Sequence, residues 1–171
     1  MEFFQVINER QSIREFTPHA IKDGDLKEIL MASNMAPSAG NLQAYEIYVV
    51  TKSDSKSALS KAALEQPFVA SAPIVLVFCA YPARSEWKYG MRGRRLYTIQ
   101  DATIACTYAM LAATALGLAC VWVGAFDEST VHQVIGAPNG EVPVAVLPIG
   151  YGAERPPRSS RRSLDDLVHV I

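Results

Sequence analysis

Residues 104–126 read IACTYAMLAATALGLACVWVGAF, a stretch without one charged side chain. On hydropathy alone it is long enough to cross a bilayer, which takes about 20 apolar residues. Its composition argues against that. Ala outnumbers Leu, Thr107, Tyr108 and Thr114 interrupt the run, and Gly117 stands where a soluble helix places its C-terminal stop. After Gly117 the residue types change: Leu118-Ala119-Cys120-Val121-Trp122-Val123 is short and β-favouring, and Gly124 closes it. A buried helix, a glycine turn and a buried strand explain the glycine and the change together. A membrane helix explains neither.

Working outward, the helix is predicted to begin near Tyr97 and end at Leu116. Upstream, Phe3 to Glu9 reads as a short helix with Phe3, Val6 and Ile7 on one side. A second helix starts at an Asp23 or Asp25 cap, buries Leu26, Ile29 and Leu30, and is stopped by Pro37. Tyr45 to Thr51 reads as a strand, Ser55 to Leu64 as an exposed helix, and Ile74 to Ala80 as a fully buried strand between Pro73 and Pro82. Lys88 to Arg95 reads as a solvent-facing basic loop. Downstream, Asp127 and Ser129 open a helix through Val134. Val142 to Tyr151 is a strand whose Pro143 and Pro148 suggest an edge or irregular position. Glu154 to Arg162, rich in Pro and Arg, reads as irregular. This order gives an α+β chain or a three-layer α/β sandwich around a small sheet. A doubly wound nucleotide fold fits poorly, because Gly150-Tyr151-Gly152 is followed by Arg155-Pro156-Pro157 rather than a third glycine and a helix.

Composition narrows the function. The chain has 171 residues, half of them apolar and 19% charged. Residues 1–171 are therefore expected to form a single domain with a real core. Sixteen Lys and Arg against seventeen Asp and Glu give a net charge of −1, which removes the basic footprint of a nucleic-acid binder. Cys79, Cys106 and Cys120 are odd in number, lie in apolar runs and lack C-x-x-C spacing, so neither a disulfide framework nor a zinc site is expected. His19, His132 and His169 are scattered, and no metal site is expected. The N-terminus lacks the pattern of a signal peptide, which makes the cytoplasm the expected location and a membrane partner unexpected.

Three clusters bear on chemistry. In an extended segment, Arg10, Ser12 and Arg14 would share one side and converge on a small anion such as phosphate. The competing reading is a solvated helix end with its cations near the negative dipole. Ala36-Pro37-Ser38-Ala39-Gly40-Asn41-Leu42-Gln43 has no charge and suits a polar, uncharged ring, or is an ordinary turn. Arg155, Arg158, Arg161 and Arg162 form either a solvated strap or a second hand on the same phosphate. There is no G-x-S-x-G elbow and no Cys with a neighbouring His, and no carboxylate pair stands out. If the chain is an enzyme, a cofactor carries the reaction.

Four stretches in order resemble the FMN-dependent nitroreductase family: Arg10-Gln11-Ser12-Ile13-Arg14-Glu15-Phe16, Ala36 to Gln43, Leu116 to Gly124 after the Ala-rich helix, and Ile149-Gly150-Tyr151 before Arg161-Arg162-Ser163-Leu164. Lys88 to Tyr97 is similar to a nitroreductase or NADH oxidase-like subgroup. The resemblance implies a three-layer α/β/α sandwich around a small, mostly antiparallel sheet, in a homodimer with FMN at the subunit interface. It implies that Arg10, Gln11, Ser12, Arg14 and Arg161 hold the FMN phosphate and ribityl chain. Pro37, Ser38, Ala39 and Asn41 would reach the flavin from the other subunit, Val123 and Gly124 would line its N5 edge through backbone groups, and Gln66 would contact ribityl or ring. Activity would be ping-pong transfer from NAD(P)H to a small electron-poor acceptor such as a nitroaromatic or quinone, with no catalytic side chain. Ala44-Tyr45 departs from the family's frequent Pro-Trp. A non-catalytic flavin- or nucleotide-binding module of the same fold is the alternative.

Overall fold

A computed structural model describes residues 1–171. Four strands form one antiparallel sheet in the order β1-β2-β4-β3: β1 (Tyr45–Val50), β2 (Ile74–Ala80), β3 (Ala119–Cys120) and β4 (Val142–Gly150). Along β2 the side chains alternate between two apolar layers. Ile74, Leu76 and Phe78 face helices α2 (Asp23–Asn34) and α6 (Thr98–Ala115). Val75, Val77 and Cys79 face the side of α3 (Ser53–Ala62), α4 (Pro67–Ser71) and α7 (Glu128–Ile135). Two faces, each needing apolar cover, make the three-layer sandwich expected from the chain order.

Helix α6 is the central element. It buries Thr98, Asp101, Ala102, Ala105, Cys106, Ala109, Met110 and Ala113, the spacing of one helical face. It ends as predicted: Gly117 adopts φ 77°, and the chain turns into β3. No helix is long and apolar enough to cross a membrane.

The structure corrects three expectations. First, of the edge or irregular position suggested for β4, only the irregularity is found, since the strand pairs with both β2 and β3. Pro143 lies at a register shift opposite Cys79. Second, the strand expected over Leu118 to Val123 is cut to Ala119–Cys120, with Val123 pairing separately with Val146. Pro148 explains the cut. Val123 and Val146 exchange both backbone bonds, so the next hydrogen-bonded pair in that register joins Val121 and Pro148, which has no N–H to give. Third, Lys88 to Arg95 is not a loop. Helix α5 runs over Pro82–Arg92, breaks at Gly90 (φ 56°, ψ −147°), and passes through a π-helical turn at Gly93–Tyr97 directly into α6. Gly90 supplies the break, and Gly93, itself helical, lets the path continue where a Cβ would strike the Ser85 carbonyl.

Candidate functional site

Helix α1 (Phe3–Glu9) ends with the Arg10 N–H donating to Val6 O at 2.9 Å, and the chain leaves it extended. Ser12 then pairs with Cys120 in parallel, Ile13 donates to Cys120 O at 3.2 Å, and Phe16 pairs with Gly152. Residues 10–16 thus continue the sheet beyond β3. The tail returns over them, with Ala153 N–H on Glu15 O at 2.8 Å and Arg14 N–H on the Glu154 carboxylate. Between segment and tail lies a concavity of about 590 Å³ lined by Arg10, Gln11, Ser12 and Arg14 from one end of the chain and by Arg158 and Arg161 from the other.

Four guanidinium groups line that concavity, and no carboxylate does. The sole ion pair in the chain is elsewhere, between Arg94 and Glu86. Arg161 donates only to the carbonyls of Ser159 and Ser160, at 3.2 and 3.3 Å. Glu154 accepts from the Arg14 backbone N–H and, with Glu9, lines the adjoining concavity that Arg10 and Arg158 share, but none of these guanidinium groups is paired with a carboxylate, and an anion offering several acceptor oxygens suits them. Beside them Cys120 is no nucleophile: burial pushes its thiol up to about 12, against the opposing charge of Arg10.

The loop at 36–43 forms a second locus. A 3-10 turn spans Ala39–Asn41, and Gly40, Asn41 and Gln43 all adopt left-handed conformations with φ of 58°, 56° and 44°. Only the first of these is a glycine, so the other two carry strain that neighbouring contacts must hold in place. Gln43 supplies part of the restraint, its N–H bonding Ser38 Oγ at 2.9 Å and its side-chain amide bonding Asn41 O at 2.6 Å. Helix α6 supplies more. Asp101 is 2% exposed and accepts from the Ala39 N–H at 2.9 Å, while Thr98 Oγ1 donates to Ala44 O at 2.7 Å. Pro37, Ser38 and Ala39, with Tyr97, Asp101 and Ile104, line a concavity of about 540 Å³ that shares no residue with the arginine-lined one. The sequence reading missed Asp101. The signal was there: it is the last charge before the uncharged stretch of α6 and β3.

Val123, Gly124 and Gln66 form a third group. Val123 is 3% exposed, and both its N–H and its C=O are bonded to Val146, at 2.9 and 3.0 Å. Its backbone is therefore committed to the sheet, and the backbone group free to meet a ligand is that of Gly124, which is exposed. The Gln66 amide donates to Ala63 O at 2.7 Å and to Ala125 O at 3.4 Å, tying α4 to the 124–125 turn. The structure thus brings Arg10, Gln11, Ser12, Arg14 and Arg161 together. It keeps Pro37, Ser38, Ala39 and Asn41 apart from them, and Gln66, Val123 and Gly124 in a group of their own.

The chain matches the model of the Nitroreductase family over residues 7–81 and 60–151. It is 31% identical over 154 residues to an NADH dehydrogenase/NAD(P)H nitroreductase relative from Archaeoglobus fulgidus, covering 88% of this chain and 85% of that protein. An NAD(P)H FMN reductase of Bacillus subtilis is 27% identical over 98% of this chain and 73% of its own. The solved structure of an NADPH:FMN oxidoreductase from Vibrio harveyi, complexed with NAD+, superposes with a TM-score of 0.90 at 27% identity, covering 98% of this chain and 76% of that one. With the sandwich, the arginine-lined concavity and matches that span most of its length, this chain belongs to the nitroreductase family.

Proposed function

We propose that this protein is an FMN-dependent oxidoreductase that takes hydride from NAD(P)H and passes it to nitroaromatic, quinone or similar electron-poor acceptors. The observation that carries this reading is the concavity of four guanidinium groups and a serine hydroxyl without a carboxylate. That donor set fits the phosphate of FMN. Arg10, Ser12, Arg14 and Arg161 would hold the phosphate and Gln11 the ribityl chain. Gly124 would offer its backbone N–H to the ring edge, with Val123 packing behind it and Gln66 fixing the turn. Bound FMN supplies hydride acceptance and release at N5, so the protein's task is to align two flat molecules and exclude water. The absence of an evident side-chain acid, base or nucleophile agrees with that division, and donor and acceptor would use one space in turn, in ping-pong order.

The same reading requires a homodimer with FMN at the subunit interface. Gln66 and Val123 lie on the α3–α4–α7 side of the sheet, whereas the 37–41 loop is fixed on Asp101 of α6, on the other side. With the sheet between them, one flavin meets both groups only if they come from different copies. Helix α6 also leaves Ile99 and Tyr108, on opposite flanks, 42% and 39% exposed, apolar surface that a second copy would cover.

The test is a visible spectrum of the purified protein, FMN titration of the apoprotein, and anaerobic addition of NADH or NADPH. Uptake of FMN followed by bleaching of the flavin is the expected result. A protein that takes up no FMN refutes the proposal. Uptake without bleaching by either nucleotide would identify a binding module without turnover.

A further inference from the structure

The 37–41 loop owes its shape to one buried side chain. Asp101 sits in the first turn of α6, and one carboxylate oxygen accepts from the Ala39 N–H at 2.9 Å. Its second oxygen is buried and has no hydrogen-bond partner. A buried carboxylate with an unpaired oxygen is costly, and such groups persist where something else depends on them. What depends on this one is a turn with three left-handed residues in four positions from Gly40 to Gln43. On the outer side the turn is walled: a Cβ at Gly40 would strike the Tyr89 hydroxyl and the Lys88 ammonium of α5. Arg84 of the same helix donates to Gln43 O at 3.2 Å. Helices α5 and α6 hold the loop from two sides, and Asp101 is the hold on its first helical residue.

We infer that Asp101 is a positioning residue for the flavin ring, acting through the Ala39 backbone to fix the conformation in which Pro37, Ser38 and Asn41 meet the ring. The inference rests on the reading of that loop as the ring-facing segment. Asp101 itself touches no reacting atom. Its carboxylate anchors the loop from within the protein, which separates its role from that of the arginines at the phosphate end. Burial raises its pKa, while the hydrogen bond from the Ala39 amide and the nearby Ala44 amide, which falls short of hydrogen-bond geometry, pull the other way.

The experiment uses the full chain, wild type and with Asp101→Ala, Asp101→Asn and Arg10→Ala. Three quantities are read: amide exchange at Ala39 in the apoprotein, FMN dissociation, and the visible circular dichroism of the flavin at saturating FMN. Asp101→Ala is expected to speed Ala39 exchange at least tenfold, weaken FMN binding about tenfold, and change the dichroism of the bound flavin. Asp101→Asn keeps an acceptor for Ala39 and is expected to recover most of the exchange protection, which covers the case in which the alanine variant does not fold. Arg10→Ala is expected to weaken binding and leave the dichroism at saturation unchanged. Faster exchange with unaltered flavin dichroism overturns the positioning role, and so does unaltered Ala39 exchange. A wild-type protein that binds no FMN refutes the FMN reading itself, and is distinguished from failure of this inference by the wild-type titration alone.

Discussion

Removing Arg10 tests whether the arginine-lined concavity holds a phosphate. Arg10 leaves α1 half-buried, between β3 and the returning tail, and the field of its guanidinium reaches the buried Cys120 thiol. Arg161 is exposed and bonded only to carbonyls of its own segment. A hydrogen bond to a charged group is worth about 1.5–3 kcal/mol, and each ~1.4 kcal/mol is tenfold in affinity. The half-buried Arg10 belongs near the top of that range, so Arg10→Ala should weaken FMN binding by roughly thirty- to a hundredfold. The solvated Arg161 belongs at the bottom, and Arg161→Ala should cost about tenfold. Two arginines on one phosphate predict a double variant clearly short of or beyond the product of the single effects. Reduction by NAD(P)H at saturating FMN should change far less, since these contacts are alike in ground and transition states. The assay is quenching of flavin fluorescence on titration into each apoprotein. Unchanged affinity in Arg10→Ala would remove the 10–14 segment from the site. Strictly multiplicative effects would place the two arginines on different groups.

Three further outcomes are expected. Gly40→Ala puts a Cβ at φ 58° against Tyr89 and Lys88, and should cost about 1–2 kcal/mol by urea unfolding; an unmoved midpoint would show that the loop relaxes freely. Burial raises the folded pKa of Asp101 above its usual 3.8, so its contribution to stability is complete below that value and is lost as pH rises through the folded pKa. The melting temperature of wild type minus that of Asp101→Asn should therefore grow as pH is lowered from about 7 to 4, and a pH-independent difference would contradict the burial argument. Finally, mixed dimers of an Arg10→Ala chain with a Ser38→Trp chain should regain about half the FMN capacity that each variant loses by itself, because one of the two sites would carry both changes and the other neither; no regain would place loop and arginines in one copy's site.

Much of the fold was legible because its signals are local. The break at Gly117, the fully apolar run of β2 and the Asp127 start of α7 each follow from residue type and spacing within a few positions, whereas the Asp23 or Asp25 cap expected for α2 does not form: Lys22 stands at the N-cap and no side chain bonds there. What was not legible depended on pairing. Pro143 and Pro148 argue for an edge strand only if each missing N–H would have had a partner. In the structure one falls at a register shift and the other interrupts the bonding to β3, so β4 stays interior. The basic run from Lys88 misled for a related reason. Gly90 and Gly93 read as loop residues, yet here they let one helical path bend and continue into α6.

The site divides along the same line. Arg10, Ser12 and Arg14 stood out because three donors in five residues are conspicuous in any conformation, and the sheet then gave them the extended course that brings them together. Asp101 did not stand out, because a carboxylate in the first turn of a helix is read by default as a favourable charge near the dipole. Its meaning comes from 62 residues upstream, where the Ala39 N–H turns inward to meet it. A buried polar group is intelligible only with its partner, and a partner at that separation is fixed by the tertiary fold. The same holds for Val123, whose backbone looks available in sequence and is committed to Val146 in the sheet. The neighbouring glycine inherits the exposed position because the strand has to end somewhere.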